Sequence, residues 1–130
     1  MLGFPRIGRD RELKVALEAH WRGELDRPGL VAAARATRAQ SLAPAIEAGL
    51  DTLPSGDQAL YDHVLDTALM LGAVPERFAS TEPGPPREFA MARGTRTAAP
   101  LEMTKWFDTN YHYLVPEIDR GTPFGLDPAR

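Results

Sequence analysis

The apolar positions of the chain recur mainly at helical spacing. The first predicted helix begins after Asp10, a good N-cap residue. Its buried face is predicted to consist of Leu13, Ala16, Leu17, His20 and Trp21. A second helix is predicted from Pro28 to a stop at Gly49, and Pro44 favours a kink or two segments over one straight rod.

Later apolar positions predict two more helices. Leu60, Val64, Leu65, Ala68, Leu69 and Leu71 are phased for a helix that Asp57 would cap and Gly72 would end. Residues 79–87 resemble a linker, and residues 87–93 are compatible with a short helix before Gly94.

Three short apolar runs are predicted as strands, at 2–8, 50–55 and 111–116. Strands that alternate with helices are typical of parallel βα units. A complete eight-fold barrel takes about 250 residues, so we interpret this α/β chain as the first βα units of a (β/α)8 TIM-type barrel, incomplete in this chain. Residues 1–117 are predicted to form this partial domain and residues 118–130 an irregular tail.

Composition excludes several functional classes. Fifteen basic and eighteen acidic residues give a formal charge of −3, which is not typical of a nucleic-acid-binding protein. Without cysteine there is no disulfide or thiolate site, and His20, His63 and His112 lack metal-binding spacing. No targeting segment and no apolar run of about 20 residues is present, so we expect a cytoplasmic protein without a membrane partner.

Arg11 and Lys14 lie three residues apart at the start of the first predicted helix. The helix dipole disfavours cations at this end, so a negatively charged ligand bound there would explain them. The alternative is that Lys14 pairs with Glu18 and that Arg11 is solvated.

The segment 101–116 is the second candidate for chemistry. Its ring-bearing residues lie within eight positions, although the chain has only ten Phe, Trp and Tyr residues; they are Trp106, Phe107, Tyr111, His112 and Tyr113. Lys105 directly precedes these residues, and Asp108 lies among them. This pattern fits either ligand groups beside a strand or aromatic core residues with a solvated lysine.

Five motifs occur in a characteristic order: LGFPRIG at 2–8, RELK at 11–14, LPSGD at 53–57 with YDH at 61–63, FAMARG at 89–94, and EMTKWFDTNYHYLVPE at 102–117. Together they resemble the N-terminal domain of the cobalamin-independent methionine synthase family. The resemblance covers residues 2–117, and the block at 102–117 is its most specific part.

The resemblance implies an enzyme of two face-to-face (β/α)8 barrels that needs no cobalamin. In this family the C-terminal barrel carries the catalytic residues and a zinc ion, held by His, Cys and Glu, that activates homocysteine. The N-terminal barrel helps to bind the polyglutamate tail of 5-methyltetrahydropteroyltri-glutamate.

Carried across, the tail-binding residues are Arg11, Glu12, Leu13, Lys14 and Lys105. Leu13 also belongs to the predicted buried face, so any contact from Glu12 or Leu13 is expected through the backbone. Asp108, where some relatives carry Asn, would partly neutralise Lys105. No catalytic residue and no metal ligand is expected in this chain.

The expected function is therefore that of a methyltransferase segment. It would bind the folate tail, while zinc and homocysteine would be bound only by the C-terminal barrel. The alternative is a stand-alone folate-tail-binding or interaction module without catalysis, which would have to cover its open sheet edges.

Overall fold

The computed structural model describes residues 6–54 and 56–126. Within them lie four α-helices, one 3₁₀ turn and one two-stranded sheet. The elements are α1 (Glu12–Trp21), α2 (Arg27–Glu47), α3 (His63–Met70), the 3₁₀ turn (Glu76–Phe78), α4 (Pro85–Arg93), β1 (Met103–Lys105) and β2 (His112–Leu114). No helix in this part of the chain is both long enough and apolar enough to cross a membrane.

The chain divides into two compact units, Met1–Leu60 and Tyr61–Arg130. The first contains α1 packed against α2. Most of the predicted face of α1 is confirmed, because Leu13, Ala16 and Leu17 are buried. Trp21 is instead 38% exposed, since it lies in the last turn, where α1 ends.

The second helix is a single element that contains Pro44. The interpretation as two segments is therefore wrong. Pro44 lies in the last turn, so the one helical hydrogen bond that its missing N–H removes lies near the end of the helix and leaves the rest of the ladder intact. At the other end Asp26 accepts a hydrogen bond from the Gly29 N–H at 2.8 Å. The predicted stop is confirmed, since Gly49 follows the helix with a φ of 73°.

The second unit has its own hydrophobic core. It contains side chains from α3, the 3₁₀ turn, α4, the segment just before β1 and the end of β2. These are Leu65, Leu69, Phe78, Ala90, Met91, Ala92, Leu101 and Leu114. The predicted helix before Gly94 is confirmed. It begins at Pro85, inside the stretch predicted as a linker, because proline suits the first helical turn.

The strand predictions are only partly correct. Strand β2 confirms the centre of the predicted strand at 111–116, but residues 50–54 form no strand and residues 6–8 lie in a turn region. Residues 2–5 of the predicted first strand lie outside the described residues.

The observed sheet is antiparallel, with Lys105 opposite His112, rather than parallel. The reason is local: β1 and β2 are neighbours in sequence, and the short connection between them reverses the chain direction. The two strands therefore pair side by side in an antiparallel sheet. The α/β class is confirmed, while the barrel and the boundary at residue 117 stay predictions.

Asp62 connects α3 to the hairpin. Its buried carboxylate accepts hydrogen bonds from the Leu65 N–H at 3.0 Å, the Leu114 N–H at 3.3 Å and the Tyr111 hydroxyl at 2.8 Å. The prediction that Asp57 caps this helix is therefore wrong. The helix starts later than predicted because Asp62, and not Asp57, can reach both the first turn and the strand.

We expect Asp62→Ala to lower the free energy of unfolding by about 3 kcal/mol, because buried backbone donors lose their acceptor. Chemical denaturation of the full chain measures this loss. Asp108→Ala, which removes an exposed carboxylate, is the control and should change the unfolding free energy by less than about 0.5 kcal/mol. Equal losses in the two variants would contradict the role given to Asp62.

Candidate functional site

The RELK motif begins one residue before α1. Arg11 is the N-cap residue and adopts the left-handed conformation, with φ 65° and ψ 30°, without a capping side chain. The prediction that Asp10 caps the helix is therefore wrong. Instead the Asp10 N–H donates to Glu12 Oε2 at 3.0 Å, so Asp10 belongs to the turn that precedes the helix.

Gly8 lies at the base of this turn, with a φ of +83°. A Cβ atom at Gly8 would overlap Glu12 Oε2 and would lie 2.9 Å from Thr37 Cγ2 of α2. The backbone conformation therefore favours glycine, and a Cβ atom would also require the Glu12 carboxylate and the Thr37 methyl group to shift. Sequence analysis did not identify Gly8 or Thr37, because their proximity depends on how α1 and α2 pack.

Glu12 and Leu13 have structural partners. The Leu13 side chain is fully buried, and its N–H donates to the Ile7 carbonyl at 3.1 Å. The Glu12 carboxylate is held by the Asp10 N–H. Their assignment to the tail-binding set stays a prediction that depends on the resemblance.

Lys14 and Arg11 both expose their side chains. Lys14 Nζ lies 3.6 Å from Glu18 Oε1, and both side chains are nearly half exposed. The structure therefore contains the pairing that sequence analysis named as the alternative to ligand binding. An exposed pair of this kind contributes at most about 1 kcal/mol, so a multiply charged anion can compete with Glu18 for Lys14.

A cavity of about 630 Å³ lies beside the turn. It is lined by Gly8, Arg9, Asp10, Glu12, Thr37, Gln40, Ser41 and Pro44. The cavity lies where the turn before α1 meets the second half of α2, on one surface of the first unit. It contains both acidic and basic side chains, so its charge alone does not select an anion.

Lys105 ends β1 in the second unit and is exposed. The hairpin of β1 and β2 fixes the backbone position of Lys105, which pairs with His112 across the sheet. The N–H of the following residue, Trp106, donates to the Tyr111 carbonyl at 2.8 Å. The predicted strand at 111–116 did not include Lys105. Lys105 lies on a strand of its own, which holds its backbone more rigidly than a loop would.

The aromatic residues of the hairpin do not fill a core. Trp106 is 49% exposed and Phe107 79% exposed, and their rings meet edge to face at 5.1 Å. The rings of Tyr111 and Tyr113 stack with their centroids 6.5 Å apart, as side chains two positions apart along an extended chain can do. The interpretation as buried aromatics is therefore wrong for Trp106 and Phe107.

Arg77 and Glu117 form an ion pair that sequence analysis missed. The two terminal guanidinium nitrogens of Arg77, Nη1 and Nη2, each donate to a carboxylate oxygen of Glu117 at 2.6 Å. The third nitrogen, Nε, donates to the Ala99 carbonyl at 3.0 Å. The hydrogen bonds from Arg77 hold the pKa of Glu117 below its ordinary value and raise the pKa of Arg77. The partners are forty positions apart, so no local pattern could indicate the pair.

Comparison with known proteins decides the family. The family described as "Cobalamin-independent synthase, N-terminal domain" matches residues 1–130. The chain belongs to this family. The resemblance that the five motifs indicated is therefore confirmed.

Several curated relatives are similar in sequence to this chain. Each is named 5-methyltetrahydropteroyltriglutamate–homocysteine methyltransferase. The chain is 57% identical to the one from Rhodococcus jostii over 100% of its own length, and 54% identical to the one from Nitrosomonas europaea over 99%. It spans only 17% of the length of either relative.

The zinc site implied for the family does not fit this chain. The described residues contain no group of three or more His, Cys, Asp or Glu side chains placed to hold a metal ion. The sequence also contains no cysteine, the thiolate donor that the resemblance implies.

We expect Gly8→Ala to destabilise the chain more than Gly23→Ala. Both glycines have positive φ, which costs a residue with a Cβ about 1 kcal/mol. Only Gly8 also has an atom in the way, because nothing lies within 4 Å of a Cβ at Gly23. Thermal unfolding of the two variants measures the difference, and equal melting temperatures would contradict the close packing of Gly8 against Glu12.

We expect the contribution of Glu117 to stability to depend on pH. Because its folded-state pKa is lowered, the contribution is present above its ordinary pKa of 4.5 and is lost as the pH falls through the lowered value. Glu117→Gln should therefore reduce stability by about 0.5–1 kcal/mol at neutral pH and by progressively less in acid. Denaturation across pH measures this, with exposed Glu76→Gln as the control; a pH-independent difference would contradict it.

Proposed function

We propose that this chain is the N-terminal segment of a methyltransferase that moves a methyl group from 5-methyltetrahydropteroyltri-glutamate to homocysteine. The observation that carries the proposal is the family match over residues 1–130, together with more than 50% identity to relatives that bear this enzyme's name. The reacting centre is assigned to the remainder of the protein, outside this chain.

Within this function, the chain would bind the polyglutamate tail of the folate. The tail is a string of carboxylates, and Arg11 and Lys14 offer two exposed cations within one helical turn. Lys105 would add a point charge from a rigid strand end of the second unit. These three residues bind and orient the substrate; they do not transfer the methyl group.

The barrel architecture belongs to the same proposal. We infer that the described helices and hairpin are part of a larger (β/α)8 domain of this family. In such a domain, further strands would cover the open edges of the two-stranded sheet. Zinc would be bound by the part of the enzyme outside this chain, where it would activate the homocysteine thiol.

We expect Arg11→Ala and Lys14→Ala each to weaken binding of the triglutamate folate by about tenfold, because each removes one charge-assisted contact. Binding of the monoglutamate form should change by less than about twofold, since it lacks most of the tail. Titration calorimetry with both forms measures the two affinities. Lys105→Ala should show the same dependence on tail length.

Arg38→Ala is the matched control, because it removes an exposed arginine from α2 of the same unit. It should leave both affinities unchanged. Equal losses for the triglutamate and monoglutamate forms in the Arg11 and Lys14 variants would contradict tail binding. So would a triglutamate affinity that is insensitive to added salt, since exposed charge pairs are screened.

A further inference from the structure

We propose that Glu12 is a positioning residue that holds Arg11 in place and does not itself contact the folate tail. The inference rests on the proposed tail-binding function, which it deepens by separating the roles of two neighbouring residues in the RELK motif. It is carried by the contacts of the turn at residues 8–12.

One carboxylate oxygen of Glu12 lies against both Asp10 and Gly8 in the turn. Oε2 accepts the Asp10 N–H at 3.0 Å, and the same oxygen occupies the space where a Cβ of residue 8 would lie. The side chain therefore folds back over the turn instead of extending into solvent. A carboxylate in this position satisfies a loop donor that would otherwise need water.

The turn is also fixed from its other side. The Leu13 N–H donates to the Ile7 carbonyl at 3.1 Å, and the Thr37 methyl group of α2 lies against Gly8. Thr37 is 2% exposed, and its hydroxyl donates to the Ala33 carbonyl at 3.0 Å, which fixes the χ1 rotamer that points the methyl group at Gly8. Glu12 and Thr37 thus hold Gly8 between them.

Arg11 is the residue that this arrangement constrains. Its left-handed backbone costs an L-residue with a Cβ about 1–2 kcal/mol relative to glycine. Glycine or asparagine would adopt the conformation more readily. An arginine held at such a position indicates that its side chain, and not its backbone, is what the site requires.

The direction in which removal of Glu12 changes tail affinity distinguishes a positioning role from a purely electrostatic one. Glu12 is an anion beside two cations that would bind an anionic tail. If it acted only through its charge, its removal would strengthen tail binding. If it positions Arg11, its removal weakens tail binding although the local charge becomes more favourable.

The test compares Glu12→Ala and Glu12→Gln in the full chain. We expect Glu12→Ala to weaken triglutamate binding by about fivefold, while Glu12→Gln, whose amide oxygen still accepts the Asp10 N–H, stays within about twofold. Glu18→Ala is the matched control, because it removes an equal charge from the same helix and should not weaken binding. Titration calorimetry with the triglutamate and monoglutamate folates provides the affinities.

A double-mutant cycle with Arg11→Ala gives a readout that a merely structural role would not move. Once Arg11 is absent, Glu12→Ala should cause no further loss of triglutamate affinity. If Glu12→Ala fails to fold, Glu12→Asp replaces it. That variant keeps the charge but shortens the reach by one methylene group, and it should weaken binding as the alanine does.

Unchanged or tighter triglutamate binding in Glu12→Ala would overturn the inference, and so would full additivity with Arg11→Ala. These outcomes leave the proposed function intact as long as Arg11→Ala and Lys14→Ala lose triglutamate affinity selectively. If those two variants show no dependence on tail length, the proposed function itself fails.

Discussion

Backbone N–H groups in loops and at the ends of helices and strands need acceptors, and carboxylates supply several of them in this protein. Asp62 accepts from Leu65 and Leu114, and Glu88 accepts from the Tyr61 N–H at 3.1 Å. A buried loop donor without a partner costs free energy comparable to a lost hydrogen bond. Acidic residues that look like surface residues in the sequence therefore hold helices, loops and strands together.

The same device operates at both proposed ligand-binding positions. Glu12 holds the turn that presents Arg11, while Asp62 receives the hydroxyl of Tyr111, in the hairpin that carries Lys105. In each case the carboxylate accepts a hydrogen bond from a backbone or hydroxyl donor in the segment that carries the cation. This arrangement keeps a fixed geometry around side chains that are themselves exposed, which is what binding a flexible anion requires.

The hairpin illustrates a second consequence of short-range structure. The sheet contains only three residue pairs, yet it fixes Lys105, the edge-to-face rings of Trp106 and Phe107, and the stack of Tyr111 on Tyr113. So many exposed aromatic groups on a small sheet are unusual for a solvated surface.

The sequence by itself determined the helices, their main buried faces and the family. Periodicity identified Leu13, Leu17, Leu65 and Leu69 as core residues, and glycine ended helices at Gly49, Gly72 and Gly94, because these signals are local. Only the tertiary structure decided which polar residues act together. Asp62 displaced Asp57 as the helix cap by also binding the strand, and Thr37 met Gly8, because both outcomes depend on where the backbone folds back in space.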